Sequence, residues 1–272
     1  MPELPEVETV ARGLEGALGG RRIDEVLVHA PALRHRLDRA ALRTMLVGRR
    51  VRGVERRGKA IILAAGAEHR ALIHLGMSGS FRVCPRTAER SRHEHVELVT
   101  GATACRYEDP RRFGMFLPLF PGGPAADFLE RLGPEPLGPA FTVDHLVAAL
   151  AGRRRAVKEL LLDQAVVAGL GNIYVVEILH RARVGPWRAG AACDRAACRR
   201  IVRATRSVLR EAIRCGGTTL VDHHALDGSI GRFARALRVY KREGACCSRC
   251  GARIVRATQG GRSTYSCPGC QD

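Results

Sequence analysis

Residues 132–141 read LGPEPLGPAF, with three prolines and two glycines in ten positions. Proline fixes φ and removes a donor, and glycine loosens the chain, so this stretch reads as a linker. The pattern of the chain changes across it. On the amino-terminal side lie short β-like runs, IDEVLV at 23–28, KAIIL at 59–63, ALIHL at 71–75, HVELV at 95–99 and GMFLPLF at 114–120. Turn residues separate them and no long helical period intervenes, which predicts an antiparallel β-sandwich. Val7, Val10, Leu14 and Leu18 stand three or four apart ahead of Gly19-Gly20, which predicts a leading helix over 6–18. On the other side, residues 142–151, 153–165, 171–182 and 194–214 carry helical periodicity. In QAVVAGLGNIY, 164–174, Gly169 and Gly171 break one helix and open the next. The expected fold class is α+β: a β-sandwich domain over 1–133, a linker over 134–141, a helical domain over 142–240 and a small terminal unit over 241–272.

The 272 residues carry 45 basic and 27 acidic side chains, a formal charge of +18. Such an excess points to a polyanion, nucleic acid before an anionic membrane surface, since no segment resembles a basic amphipathic anchor. Residues 1–130 hold a net +5 and residues 131–272 a net +13, so the polyanion is expected to touch both halves and lean on the second. Hydrophobic residues make up 46% of the chain, which speaks against disorder. No apolar run is long enough to span a bilayer, and the acidic, proline-bearing start MPELPEVETV is the opposite of a secretory signal. The expectation is therefore a cytoplasmic protein. Only three of the basic residues are lysines, Lys59, Lys158 and Lys241. Lysine alone among the basic pair loses its proton readily or forms a Schiff base, which ranks these three for attention.

Ten cysteines in a chain expected to be cytosolic argue against a disulfide framework. Cys247-x-x-Cys250 and Cys267-x-x-Cys270, separated by sixteen residues, have the spacing of two metal knuckles on a hairpin. The intervening ARIVRATQGGRSTYS predicts two strands about a Gly260-Gly261 turn. The expected cofactor is one structural Zn²⁺, which would fold a unit too small to hold a core. Cys246 would give a less suitable Cys-x-x-x-Cys spacing. Cys84, Cys105, Cys193, Cys198 and Cys215 read as buried fillers. Arg262, beside the turn, is read as an arginine held against a phosphate.

At the amino terminus, removal of Met1 would leave Pro2 with a free secondary amine. An α-amine has a pKa of roughly 7.7–8.0. Attack on a sugar C1′ would form an iminium, an electron sink for expelling the base and then the phosphates. Glu3 could protonate the ring oxygen and later take protons. Taken alone, this opening reads first as a helix cap.

The longer pattern changes that reading. PELPEVETVARGL at 2–14 resembles the bacterial formamidopyrimidine-DNA glycosylases of the Fpg/Nei family. The likeness continues through RRGKAIIL at 56–63, HLGMSGSFR at 74–82, RHEHVEL at 92–98 and YEDPRRFGMF at 107–116. It resumes in KELLLDQAVVAGLGNIYVVEIL at 158–179, GGTTLVD at 216–222, DGSIGRF at 227–233 and GGRSTYSCPGCQ at 260–271. The resemblance implies a glycosylase and abasic-site lyase acting on duplex DNA with oxidised purines, with a helix–two-turns–helix and a zinc hairpin. By matching position, Pro2 is the Schiff-base nucleophile, Glu3 its acid/base partner, and Lys59 assists the lyase steps and contacts the lesion phosphate. Met77, Arg111 and Phe113 match residues that fill the gap left by an extruded base, Phe113 as wedge and Arg111 facing the orphaned base. His74, His93 and Arg112 match backbone contacts. Lys158 and Asn172 match phosphate contacts of the helix–two-turns–helix, with Arg154 adding charge, and Arg262 matches the hairpin arginine that grips the lesion phosphates.

Departures accompany the likeness. Lys241, in VYKREG, stands where the family usually has glycine, so a positive φ is expected to be lost there. The segment VDHHALDG at 221–228, with His223-His224, stands where the family has a more aromatic lesion-binding region. Two rival readings are a Nei-like glycosylase for oxidised pyrimidines and a non-catalytic zinc-hairpin DNA-binding protein. The PELPEVE opening and GGRSTYSCPGCQ ending favour the Fpg side over the first. A merely binding protein would have been free to lose Pro2, Glu3 and Lys59. A monomer is expected.

Overall fold

Leu4–Leu18 forms α1, starting two residues earlier than the spacing predicts because Pro5 fits a first helical turn. Its Val7, Val10, Leu14 and Leu18 are buried, as the three-to-four spacing requires. The computed structural model describes residues 1–218 and 231–271. Two units divide the chain, Met1–Glu130 with Gly216–Arg232 and Arg131–Cys215 with Phe233–Asp272. The sequence reading instead has four consecutive segments.

In the first unit, α1 is followed by β1 (Glu25–Val28), α2 (Arg39–Leu46), β2 (Gly53–Arg57), β3 (Ala60–Ala64), β4 (Arg70–His74), β5 (Ser80–Pro85), β6 (Glu94–Thr100), β7 (Thr103–Glu108), β8 (Met115–Leu119) and α3 (Pro124–Glu130). The strands make two antiparallel four-stranded sheets, ordered β1-β6-β7-β5 and β2-β3-β4-β8. Val7 and Leu14 of α1 share one core with Val26, Ile61, Ile73, Val96 and Phe116. Each such side chain contributes about 1.5–3 kcal/mol on burial. The expected β-sandwich with a leading helix is present. The sequence reading passes over α2 and α3. Both are short and bury few residues, only Leu42 and Leu46 in α2 and Ala125 in α3, so neither repeats its apolar period. Asp38 caps α2 by accepting from Ala41 N at 2.9 Å.

The second unit contains α4 (Val143–Leu150), α5 (Val157–Leu162), α6 (Asn172–Ala182), α7 (Arg195–Arg214) and a hairpin of β9 (Val255–Gln259) and β10 (Arg262–Ser266). The helix expected over 153–165 shrinks to α5. The backbone ahead of it pairs elsewhere, with Val157 N donating to Arg188 O at 2.7 Å and Gly190 N to Arg155 O at 2.9 Å. Gln164 organises the two turns between α5 and α6. Its Nε2 donates to Leu162 O and Leu170 O, and its Oε1 accepts from Gly169 N, each at 2.9 Å. Gly169 has φ 86°, where a side chain would be strained.

The hairpin register pairs Arg262 with Gln259 across Gly260-Gly261, whose φ values of 54° and 71° suit a tight turn of glycines. Glu177, on α6, is buried and accepts backbone N–H groups from Arg238, Val239 and Tyr240 at 2.9–3.0 Å. One carboxylate thereby anchors the segment that leads into the hairpin. Lys241 corrects an expectation: it keeps a positive φ of 57° although it is not glycine. Among the described residues, no helix is long and apolar enough to cross a membrane.

Candidate active site, DNA-contact residues and metal centre

Pro2 and Glu3 are buried at the start of α1, with Met1 exposed ahead of them. Glu3 is the helix N-cap, and its backbone N–H donates to Glu6 Oε2 at 2.9 Å. A carboxylate at this position is favoured by the positive end of the helix dipole. Glu6 also holds Thr218, accepting from its N at 2.7 Å and from its Oγ1 at 3.0 Å. Residue reading overlooks Glu6, although the capping spacing Glu3-x-x-Glu6 is its signal.

Lys59 is 7% exposed, in the tight turn between β2 and β3 where Gly58 has φ 57°. The turn is tied to α1. Arg56 Nε donates to Glu8 Oε2 at 2.8 Å and Arg56 Nη1 to Gly58 O at 3.2 Å. Burial works against the Glu8 charge, but hydrogen bonds from Arg56 and Arg12 hold its pKa below the ordinary carboxylate value. β3 pairs with β4, which brings Ala60 opposite His74. Burial, then repulsion from Lys59 and Arg34, pushes His74 down to about 4. His74 is thus neutral at physiological pH. Its Nδ1 accepts from Gly76 N at 3.0 Å, which leaves the proton on Nε2 as a donor for an incoming oxygen.

Met77 and Phe113 are 40% and 48% exposed, unusual for such side chains. Their two loops are locked together by Asp109, which is fully buried. Asp109 Oδ1 accepts from Ser78 Oγ at 2.6 Å, and Oδ2 from Gly114 N at 2.7 Å; Ser78 Oγ accepts from Arg111 N at 3.2 Å. A Cβ on Gly76 would meet the Phe113 carbonyl carbon at 2.5 Å, so only glycine permits this approach. Arg111 and Arg112 are exposed; the Arg111 guanidinium lies 4.9 Å from the Phe113 ring centroid, and Arg112 has φ 57°. Nothing in their residue types singles out Ser78 and Asp109, though both lie within the motifs HLGMSGSFR and YEDPRRFGMF. His93 is half-buried, its Nε2 accepting from Arg92 Nε at 2.9 Å.

In the second unit, Lys158, Asn172 and Arg262 converge on the first residues of β10. Lys158 Nζ donates to Thr264 Oγ1 at 2.6 Å, and Asn172 Nδ2 to Ser263 O at 2.9 Å. Among the described residues, Asn172 Oδ1 is buried without a hydrogen-bond partner. Lys158 is fully buried rather than open to solvent. Burial and then the Arg262 charge push its pKa down to about 8, against a smaller opposing pull from Glu159. Arg262 and Arg154 are exposed. The segment around His223-His224 lies outside the described residues.

The Sγ atoms of Cys247, Cys250, Cys267 and Cys270 lie within 4.8 Å of one another. Cys247 and Cys270 are 3.8 Å apart and Cys250 and Cys267 3.4 Å, far beyond disulfide length. A tetrahedron of Zn–S bonds near 2.3 Å has edges of about 3.8 Å. The cluster fits one structural zinc. Cys246 is exposed and outside it.

Family models match three consecutive stretches: the formamidopyrimidine-DNA glycosylase N-terminal domain over 1–116, the formamidopyrimidine-DNA glycosylase H2TH domain over 132–224, and a zinc finger found in FPG and IleRS over 247–272. A formamidopyrimidine-DNA glycosylase of Xanthomonas campestris pv. campestris is 44% identical over 272 residues, covering all of both chains. A Lactococcus lactis FPG variant in complex with Fapy-dG-containing DNA superposes with a TM-score of 0.91 at 34% identity, covering 100% of each chain. The MutM (FPG) protein of Thermus thermophilus gives 0.88 at 40% identity, covering 99% of this chain and 98% of that one. With 44% identity over the full length, all three domains in order and the four-cysteine centre intact, the chain belongs to the formamidopyrimidine-DNA glycosylase family.

Proposed function

We propose that this protein excises oxidised purines, formamidopyrimidines and 8-oxoguanine, from duplex DNA and then cuts the strand at the resulting abasic site. One observation carries the assignment to this chain. Met77 and Phe113 spend apolar surface on solvent while the backbone beneath them is pinned by the buried Asp109. Rigidly presented apolar side chains suit a gap between base pairs, whose unstacking they partly offset.

In this reading the Pro2 amine, freed by removal of Met1, attacks C1′ as the bond to the base breaks. The base leaves with the electron pair and is protonated. Glu3 protonates the ring oxygen, the sugar opens and an iminium links Pro2 to C1′. Loss of a C2′ proton then expels the 3′ phosphate, and a second elimination expels the 5′ phosphate. Lys59 lies beside the neutral His74, so one turn offers the lesion phosphate an ammonium and the other strand an Nε2–H donor. Arg111 faces the base left opposite. Lys158, Asn172 and Arg262 hold phosphates, Arg154 adds charge, and Arg112 and His93 meet the backbone. The zinc folds the hairpin that carries Arg262. Such a substrate places the protein in the cytoplasm, on the nucleoid.

The test is borohydride trapping on duplexes with 8-oxoguanine, an oxidised pyrimidine or no lesion, followed by peptide mapping. The expected result is an adduct on Pro2, formed fastest with 8-oxoguanine. An adduct on Lys59, or none from an active preparation, overturns the mechanism. Preference for the oxidised pyrimidine overturns the substrate class.

A further inference from the structure

Zinc centres in which every ligand is a thiolate carry excess negative charge, four thiolates against one Zn²⁺. Each sulfur is stabilised by whatever donors face it, water where the cysteine is exposed and protein N–H groups where it is not. Cys250 is exposed, whereas Cys247 is only 3% exposed. Protein groups must therefore face Cys247, among them the backbone N–H of Cys250 and two others. The backbone N–H of Arg249 lies 3.5 Å from its Sγ. The other is the imidazole of His180, sixty-seven residues away in the last turn of α6, with Nε2 3.4 Å from Sγ.

His180 is fully buried, and among the described residues its Nδ1 has no hydrogen-bond partner. An apolar ring of similar size would fill this position without stranding a polar atom, so packing does not account for a histidine. Among the described residues, the one side-chain contact that uses its polarity is the sulfur. A metal-bound thiolate has no proton to give, so the hydrogen of this contact belongs to Nε2. The same turn is strapped to the knuckle in reverse, since Arg249 Nη1 donates to His180 O at 3.0 Å. Val176, one turn earlier, packs with Cys247, Cys267, Ile254 and Tyr265.

We propose that His180 is a positioning residue of the metal centre, whose Nε2–H donates to the Cys247 thiolate and sets how firmly the zinc is held. This ties the last turn of α6 to the metal centre, while Asn172 in its first turn ties it to β10. The CxxC spacing carries no trace of this residue, because it lies on another element.

The experiment uses the zinc-loaded full chain with His180→Phe and His180→Leu, which lack a donor, and His180→Gln, which restores an amide N–H near the Nε2 position. Helical content by circular dichroism confirms the fold of each. Zinc release to a chromogenic chelator and the sulfur-to-metal charge-transfer band of the Co²⁺-substituted protein are then compared. Loss of an outer partner weakens metal binding by roughly 10- to 100-fold. The donorless variants should release zinc faster by that factor, with the band shifted to lower energy, and Gln should restore both. Release within about twofold of wild type and an unchanged band in Phe or Leu would overturn the proposal. Equal loss in Gln and Phe would overturn it too, since the ring's shape rather than its N–H would then matter.

Discussion

Lys158 should make DNA affinity depend on pH in a way that no exposed lysine would. Its ammonium is buried against Thr264 beside Arg262 and loses its proton at about 8, against 10.5 for an ordinary lysine. With that value, roughly nine-tenths of the side chain is charged at pH 7 and roughly one-tenth at pH 9. If only the charged form supports a phosphate at this cluster, affinity falls about tenfold across that interval, or about 1.4 kcal/mol. The sign follows from linkage: bound phosphate favours the proton, so binding takes up a proton near pH 8 and weakens as pH rises through it. In the free protein the same shift makes folding more favourable as pH rises from about 8 towards 10.5, where only the unfolded chain still holds the proton. The assay is fluorescence anisotropy with a non-cleavable abasic-site duplex from pH 6.5 to 9.5 at constant ionic strength, since salt alone would change affinity. Lys158→Arg, which stays charged, should flatten the profile, and Lys158→Met should flatten it at the weaker level. Arg262→Ala should move the midpoint upwards by removing part of the repulsion. A wild-type profile parallel to that of Lys158→Arg would refute the reasoning.

Glu3→Gln should abolish excision of 8-oxoguanine while leaving binding to damaged duplex within about threefold, because the amide keeps the size and loses the proton; single-turnover excision and anisotropy decide it. Arg111→Ala should flatten the preference for 8-oxoguanine opposite cytosine over adenine. A bidentate arginine discriminates by roughly 1–3 kcal/mol, so the wild-type ratio is expected between about 5- and 150-fold in single-turnover rates. Arg262→Ala should instead weaken both duplexes alike, since phosphates carry no sequence. Lys241→Gly should stabilise the chain by about 1 kcal/mol, because φ 57° costs a residue with a Cβ and costs glycine nothing. The thermal midpoint should rise by about 2 °C, whereas Lys241→Ala, with its Cβ retained, should not raise it.

What could be read from the sequence is what neighbours in sequence determine. The apolar spacing of Val7, Val10, Leu14 and Leu18 defines a helix face within four turns, and that face is buried. The two CxxC pairs about Gly260-Gly261 form their cluster and hairpin from local geometry alone. Gly169 and Gly171 mark the opening of α6 for the same reason. Where local reading failed, a distant segment had taken the backbone or too few residues were buried. The helix expected over 153–165 lost its first turn to pairing with 188–190, and α2 shows only two buried positions. Lys241 kept its left-handed backbone because Glu177, some sixty residues away, fixes the three residues before it. The site divides along the same line. The family resemblance along the motifs names Pro2, Glu3, Lys59, Phe113 and Arg262 as candidates. Only tertiary structure puts Lys158 out of solvent against Thr264, lowers His74 through burial and Lys59, pins two loops on Asp109 and sets His180 against Cys247. Those properties depend on desolvation and on charges from other elements, and spacing along a chain encodes neither.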